Sequence, residues 1–309
     1  MDISIVILNT NDLPYLAECL ESLRNCCKTR RVEIIVSDNA STDGSVEMVE
    51  AKFPQVKLLK NKENLGFTKG NNVGIRASAG NYVFLLNSDI RVLGDCIDQM
   101  ADFLDRNPEV GLAGPKVLNR DMTLQCTCRK DPTLWNNFCA ETGLAKLFRH
   151  SGFFSGEQLF HFKGERTTDM DILVGCFSAI RRKAMDEVGL LDEGFYMYGD
   201  ELDWCRRFRS GGWRVVYHPA GQAIHYGGTS TVNKDPVHFA VLRQHSVLRY
   251  WRKYHGFFGR AGIKGLLIFR HVRRWMGGFA SSLIQPAGRE EGRTRMRMSV
   301  ACLRDLFGG

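Results

Sequence analysis

The sequence predicts an α/β fold built on a doubly wound, mainly parallel sheet. Short apolar runs alternate with helical patterns from Met1 to about Pro115, the order that a parallel sheet with crossover helices requires. One of these apolar runs, Val83-Phe84-Leu85-Leu86, stops abruptly at Asn87-Ser88-Asp89. Open α/β sheets bind ligands just outside such carboxyl ends of buried strands.

The elements follow in order. Ile3 to Leu8 reads as a first buried strand, and Leu13, Leu16, Leu20 and Leu23 then recur at helical spacing. Pro14 suits the first turn of that helix, where its missing N–H would have no partner anyway. Val32 to Val36 is a second strand. It ends in the polar run Ser37 to Ser45, a loop entering a helix whose Val46 and Val49 face inward. Val56 to Leu59 forms a third strand, and Asn64 to Gly74 leads into another helix. The run through Leu86 is the fourth strand, with Ser88 or Asp89 either capping the helix suggested by Asp95 to Arg106 or meeting a ligand. From Val117 to about Thr168 the pattern weakens, and Trp135, Phe138, Leu144 and Leu147 give the best helical hints. Asp171 to Ile180 is a strand followed by a helix through Val188. Acids open a further helix at Asp200, and strands follow at Trp213 to Tyr217 and Ala223 to Ser230. The remainder reads as basic helices, up to a mobile segment from Gly288 to Arg293.

Composition narrows the function classes. The chain has 309 residues, enough to bury a full core, and a net charge of +8. The ten cysteines show no CxxC pair and no scaffold-like spacing, which fits reduced, buried thiols in a cytosolic protein. The amino terminus carries no basic leader, and no uncharged stretch approaches the ~20 apolar residues of a membrane span. From Pro236 to Arg289 there is no acidic residue, and aromatic and aliphatic residues interleave with the basic ones. That pattern suits either an anionic membrane surface or helices packed on a core with a solvated charged face, and no nucleic-acid motif accompanies it.

The strand ends carry the chemistry. Asn9-Thr10-Asn11-Asp12 stands where a dinucleotide-binding G-x-G-x-x-G would be, and no G-x-x-x-x-G-K-[ST] occurs. The glycine-rich, Arg-containing loop of a sugar nucleotidyltransferase is also missing. What the strand ends offer is Asn9, Asp38, Asn39, Asn64 and Asp89, hydrogen-bonding groups suited to a base and a ribose. Asp200, Glu201 and Asp203 lie within one helical turn, where they could form first-turn pairs with Arg206 and Arg207 or supply a general base to an acceptor hydroxyl. His225, just before Gly227-Gly228, is either a packed imidazole or a ligand. With Asp89, and with Asn87, it would make a mixed O/N site suited to Mn²⁺ or Mg²⁺ beside diphosphate oxygens.

Five stretches together carry a resemblance. They are Val6 to Asn11 with Cys19 to Leu23, Asp38 to Ser45, Asn64 to Phe67 with Gly70-Asn71-Asn72, Leu86 to Asp89, and Val174 to Thr231. In this order they resemble the family 2 inverting glycosyltransferases of GT-A fold, most closely a bacterial rhamnosyltransferase-like branch. The resemblance implies a catalytic domain over residues 1–232, with a nucleotide-sugar half at 1–116 and an acceptor half at 117–232, followed by a basic helical region at 233–309. It implies that Asp38 contacts the base, and that Asn9, Thr10, Asn39, Asn64, Gly66 and Asn71 line the nucleotide pocket with Asn87 and Ser88. Asp89 becomes the metal-binding acid of a degenerate Asp-x-Asp motif, and His225 the late metal ligand. The family's Glu-Asp pair falls on Asp200-Glu201, making Glu201 the first candidate base and Asp203 the next acid. A dTDP- or UDP-sugar donor, rhamnose being the sugar of this branch, and a glycan or lipid-linked acceptor at the cytoplasmic face of a membrane follow from the same resemblance. The neutral Asn87 leaves open the alternative of a glycosyltransferase-like subunit that binds nucleotide or lipid without turnover.

Overall fold

The computed structural model describes residues 1–309 except 25, 155–158, 160–161, 228–234, 285–288 and 309. It divides into two compact units. The first comprises Met1–Lys130, His161–Tyr196 and Asp200–Thr229, and the second comprises Asp131–Phe160, Met197–Gly199 and Ser230–Gly309.

The first unit is organised by β1 (Ile3–Asn9), whose apolar side chains are almost all buried. It is followed by α1 (Leu13–Leu23), β2 (Val32–Asp38), α2 (Ser45–Lys52), β3 (Lys57–Lys60), α3 (Gly66–Arg76) and β4 (Tyr82–Asn87). Then come β5 (Ile90–Leu93), α4 (Cys96–Arg106), β6 (Val110–Leu118), β7 (Cys128–Arg129), and α5 (Leu134–Thr142) and α6 (Leu144–Leu147) of the second unit. β8 (Thr168–Asp169), β9 (Ile172–Leu173), β10 (Phe177–Arg181), α7 (Arg182–Val188), α8 (Asp200–Ser210) and β11 (Arg214–His225) complete the first unit. The sheet order is β3-β2-β1-β4-β10-β6-β11-β5, with β8 against β11. β3, β2, β1 and β4 are parallel, as are β6 and β11, while β10 lies antiparallel between β4 and β6.

Register positions the site. Leu8 lies opposite both Ser37 and Asn87, and Asn9 opposite Asp38, so the polar ends of three strands stand side by side. β5 runs antiparallel to β11 with Ile90 opposite His225, which brings His225 beside Asp89. α3 covers this face closely because its glycines leave room: a Cβ at Gly74 would stand 2.3 Å from Val6 Cγ1, and one at Gly70 2.4 Å from Leu8 Cδ1.

Several local expectations need correction. Ser88 and Asp89 do not cap a helix, since β5 intervenes and Asp95 occupies the N-cap position of α4. The strand expected from Asp171 to Ile180 is broken into β9 and β10, because Cys176 N–H turns back to Val174 O at 2.9 Å. The two late strands are one irregular strand, β11, with a register break between His218 and Gln222; residues 228–230 of that expectation lie outside the described residues. Val49 is buried, whereas Val46 is only half-buried.

In the second unit, α9 (Pro236–Tyr254), α10 (Phe257–Ile284) and α11 (Arg289–Phe307) accompany α5 and α6. Asp235 caps α9 by accepting from His238 N–H. Arg289 to Arg293, within the segment expected to be mobile, lie in the first turns of α11, where the acids Glu290 and Glu291 favour a helix start; Gly288 lies outside the described residues. None of the described helices is long and apolar enough to cross a membrane. Among the described residues none of the ten cysteines forms a disulfide, and all but Cys27 and Cys126 are buried.

The glycine contacts generate a test. Gly74→Ala forces Val6 or α3 to move, and should cost about 1–3 kcal/mol in urea unfolding, as overpacking of a filled core does.

Candidate functional site

Three polar clusters stand at the carboxyl ends of the strands. In the first, Asn9 Nδ2 donates to Asp38 Oδ1 at 2.7 Å and to Ser41 Oγ at 3.0 Å, while Asp38 Oδ2 accepts from Ser41 N–H at 2.9 Å. Asn39 Nδ2 donates to Gly66 O at 3.1 Å and to Asn64 Oδ1 at 3.3 Å, and Asn64 Oδ1 also takes Gly66 N–H at 3.0 Å. Asn9, Asp38 and Asn39 are buried, Thr10 is half-buried and Asn64 exposed. These links join the loops after β1 and β2 to the start of α3. Asn11 and Ala40 sit in the left-handed region, with φ of 53° and 55°. Asn11 holds the crossing by donating its N–H to Ser41 Oγ at 2.9 Å and accepting Thr42 N–H at 2.7 Å. Asn71 turns back to Phe67 O within its own helix at 2.9 Å and joins none of these links.

The second cluster follows β4. Asp89 is buried, and its Oδ1 lies 3.2 Å from His225 Nε2 while Oδ2 accepts Gly227 N–H at 3.1 Å. The other ring nitrogen, Nδ1, lies 2.7 Å from Gln125 Oε1. Both nitrogens of His225 therefore face oxygen acceptors, and a neutral imidazole can donate through only one of them. Burial pushes the Asp89 carboxyl up, but the His225 hydrogen bond and charge and the Gly227 N–H outweigh it, leaving the carboxyl below its ordinary pKa. Ser88 Oγ donates to Asp12 Oδ2 at 2.7 Å. Burial raises the Asp12 carboxyl, Ser88 opposes this, and the charges of Asp89 and Asp43 raise it further. Asn87 is half-exposed, with its N–H donated to Cys176 O at 3.0 Å.

The fit to a divalent cation follows from this donor set. A carboxylate oxygen and an imidazole nitrogen converge, and a second carboxyl, Asp12, is near enough to feel the charge of the first. Hard oxygen and imidazole donors suit Mn²⁺ or Mg²⁺. Among the described residues no three His, Cys, Asp or Glu side chains gather into a set that could hold a metal ion.

The third cluster is the first turn of α8. The three acids have separate environments. Asp203 is fully buried and bound to Arg207 at 2.8 Å, and that guanidinium also donates to Val188 O at 2.7 Å and to Leu190 O at 2.8 Å. Asp203 thus ties α8 to the chain after α7. Asp200 is also buried. Burial first, then the charge of Glu201, raises its carboxyl well above the ordinary range, and a side-chain hydrogen bond to Glu201 favours the protonated form. Glu201 is half-exposed at the mouth of a small cavity lined by Phe67, Leu173, Gly175 and Trp204. The second and third clusters meet at Cys176, whose thiol is pushed up to about 12 by burial, then by Asp89, with a smaller push from Glu201.

Asp12 and Gln125 had no role assigned from sequence. Asp12 was visible only as part of the polar run after the first strand, and Gln125 lies in the stretch with no clear periodicity.

This division among the acids has a measurable consequence. Asp203→Asn leaves Arg207 with a missing partner and should destabilise the chain by about 3 kcal/mol in urea unfolding. Glu201→Gln should fall within about 0.5 kcal/mol of wild type.

The glycosyl transferase family 2 profile matches residues 4–189. An N-acetylglucosaminyl-diphospho-decaprenol L-rhamnosyltransferase of Mycobacterium tuberculosis is 26% identical over 278 residues, covering 85% of this chain and 88% of that protein. The dTDP-rhamnosyl transferase RfbF of Shigella flexneri is 22% identical over 238 residues, covering 74% and 72%. Among solved structures, a mannosyltransferase from Pyrobaculum calidifontis in complex with GDP-Man and Mn²⁺ superposes with a TM-score of 0.55 at 14% identity, covering 99% of this chain and 87% of that one. Residues 1–349 of TarS from S. aureus give 0.53 at 13%, covering 100% and 92%. At such identities the structures speak for the GT-A fold alone, whereas the profile spans most of the strands, the first cluster and Asp89 of the second, and ends before His225 and α8. The chain belongs to glycosyl transferase family 2 and is a glycosyltransferase of rhamnosyltransferase-like type.

Proposed function

We propose that the chain transfers rhamnose from dTDP-rhamnose to a hydroxyl of a lipid-linked glycan, with inversion at the anomeric carbon, in cell-surface polysaccharide synthesis. The observation that carries the mechanism is the unequal acid pair of α8, a buried Asp200 that favours its proton beside a half-exposed Glu201. Two neighbouring carboxyls in unlike environments divide into a proton holder and an ionised base. Asp200 donates its hydrogen bond to Glu201 and orients it. Glu201 then takes the acceptor proton as the hydroxyl attacks in line, and the nucleoside diphosphate leaves on the opposite face.

The donor reading draws on the two rhamnosyltransferases among the relatives. In the nucleotide pocket Asp38 and Asn9 would present the base edge, with Thr10, Asn39, Asn64, Gly66 and Asn71 shaping the walls and Asn87 and Ser88 the floor. Asp89 and His225 would hold Mn²⁺ or Mg²⁺. When bound, such a cation supplies Lewis-acid neutralisation of the diphosphate. Asp203 keeps α8 in place and leaves the proton transfer to Glu201.

The lipid-linked acceptor draws on the name of the mycobacterial relative and on the surface of the second unit. Phe257, Phe258, Met276 and Phe307 are exposed on helices rich in arginine, a combination suited to the anionic cytoplasmic face of a membrane. Flotation with vesicles containing anionic lipid should carry the full chain upward at low salt and release it at high salt. A chain that stays at the bottom of the gradient in both would remove the membrane from the proposal.

Donor hydrolysis tests the chemistry. Wild type with Mn²⁺ and dTDP-rhamnose should release dTDP, chelation should suppress release, and Glu201→Gln should lower acceptor transfer by about 10²- to 10⁴-fold. Binding of dTDP with neither release nor transfer would instead favour a non-catalytic nucleotide-binding subunit.

A further inference from the structure

We propose that a cavity within the second unit binds a phosphate or diphosphate ester through Arg243 and Arg274, with an amphiphilic prenyl phosphate as the ligand class its lining suits. The cavity has a volume of about 130 Å³ and lies among α9, α10 and the segment Met197–Gly199. Pockets that enclose drug-sized ligands run to roughly 300–1,000 Å³, so this one holds a head group and not a whole nucleotide-sugar. Its lining combines Arg243, Arg270 and Arg274 with apolar side chains such as Phe239 and Leu267, and contains no acid. Guanidinium groups beside an apolar wall suit a phosphate that carries a hydrocarbon chain.

The charges around the cavity are unevenly satisfied. Glu141, outside the lining, is taken by Arg270 at 2.6 Å and Arg273 at 3.2 Å. Arg274 has no hydrogen-bonded acid among the described residues, and Arg243 stacks over the Tyr198 ring at 4.6 Å. The Arg274 guanidinium is held below its ordinary pKa by loss of solvent and then by Arg270, with Arg273 and Arg243 adding to this and Glu141 only partly opposing. Burial, then Arg270 and Arg274, depress the His271 imidazole to about 4, so it is neutral near pH 7. An anion would relieve this crowding of positive charge.

The surrounding framework is fixed. Gln244, buried, donates to Cys302 O at 3.0 Å and to Asp305 Oδ2 at 2.7 Å, and its Oε1 accepts from His271 Nε2–H at 3.0 Å. Ser246 Oγ donates to Met197 O at 2.8 Å, which holds the segment bearing Tyr198. Tyr198 has φ of 66°, a conformation that costs a bulky residue roughly 1–3 kcal/mol and tends to persist at ligand sites. In sequence this segment runs directly into Asp200 and Glu201. The anion site stands on the cavity alone; the ligand's identity as the acceptor's head group rests on the lipid-linked reading above.

Calorimetric titration of the full chain with farnesyl diphosphate and, separately, inorganic pyrophosphate tests the site. Farnesyl diphosphate should bind, and Arg243→Gln and Arg274→Gln should each weaken it about tenfold or more. Arg273→Gln, outside the lining, should stay within about threefold. Tighter binding of farnesyl diphosphate than of pyrophosphate supports a lipid head group, and equal binding supports the anion site with a free diphosphate as its ligand. Absence of binding by both probes at millimolar concentration, or unchanged binding in the double variant R243Q/R274Q, overturns the proposal. Titration with dTDP and the donor-hydrolysis assay are run on the same double variant. Failure of wild type to hydrolyse the donor while farnesyl diphosphate binds would sink the transferase reading alone.

Discussion

The parallel pairing of β1 with β2 on one side and β4 on the other is the constraint on which the rest of the first unit depends. It places Asn9, Asp38 and Asn87 at the ends of adjacent strands, with Ser88 and Asp89 next along the chain. A slip of one residue would turn every side chain of a strand to the opposite face, so the buried apolar faces and the polar rim specify each other. The alternation of Ile3, Ile5 and Ile7 in the core thus also fixes where the polar rim of the sheet stands. α3 adds the remaining wall because Gly70 and Gly74 let it approach β1 closely.

A second constraint comes from the acids of α8. Three carboxyls within one turn would repel one another if all were ionised and exposed alike. The fold separates them by giving Asp203 to Arg207, burying Asp200 and leaving Glu201 at an opening. Arg207 in turn gathers the carbonyls that follow α7, so the helix carrying the acids is anchored through one of them.

Much of the fold was legible because the strands are continuous apolar runs with polar ends, and the helices α1, α2, α3 and α4 have clear starts. The family was legible for the same reason, since its motifs sit at those strand ends. Less legible was whatever depends on distant pairing. β5 is four residues long and makes sense only against β11, and the break within β10's predecessor depends on a backbone turn at Val174–Cys176. The partner of His225, Gln125, comes from a stretch without periodicity, and Asp12 acquires its environment from Ser88 and Asp89 across the sheet. The grouping of 131–160 and 197–199 with the C-terminal helices likewise rests on contacts that no local pattern encodes.

The pairing of Asp89 with the chain around His225 has a consequence for assembly. The contact from Gly227 to Asp89 closes 138 residues of chain, so this corner of the sheet cannot exist until β11 has folded against β5. Contacts of such long range form late, after the local α/β units are in place. A nascent chain therefore carries the polar strand ends of β1, β2 and β4 well before it carries the histidine beside Asp89, and the last strand to pair brings the two together.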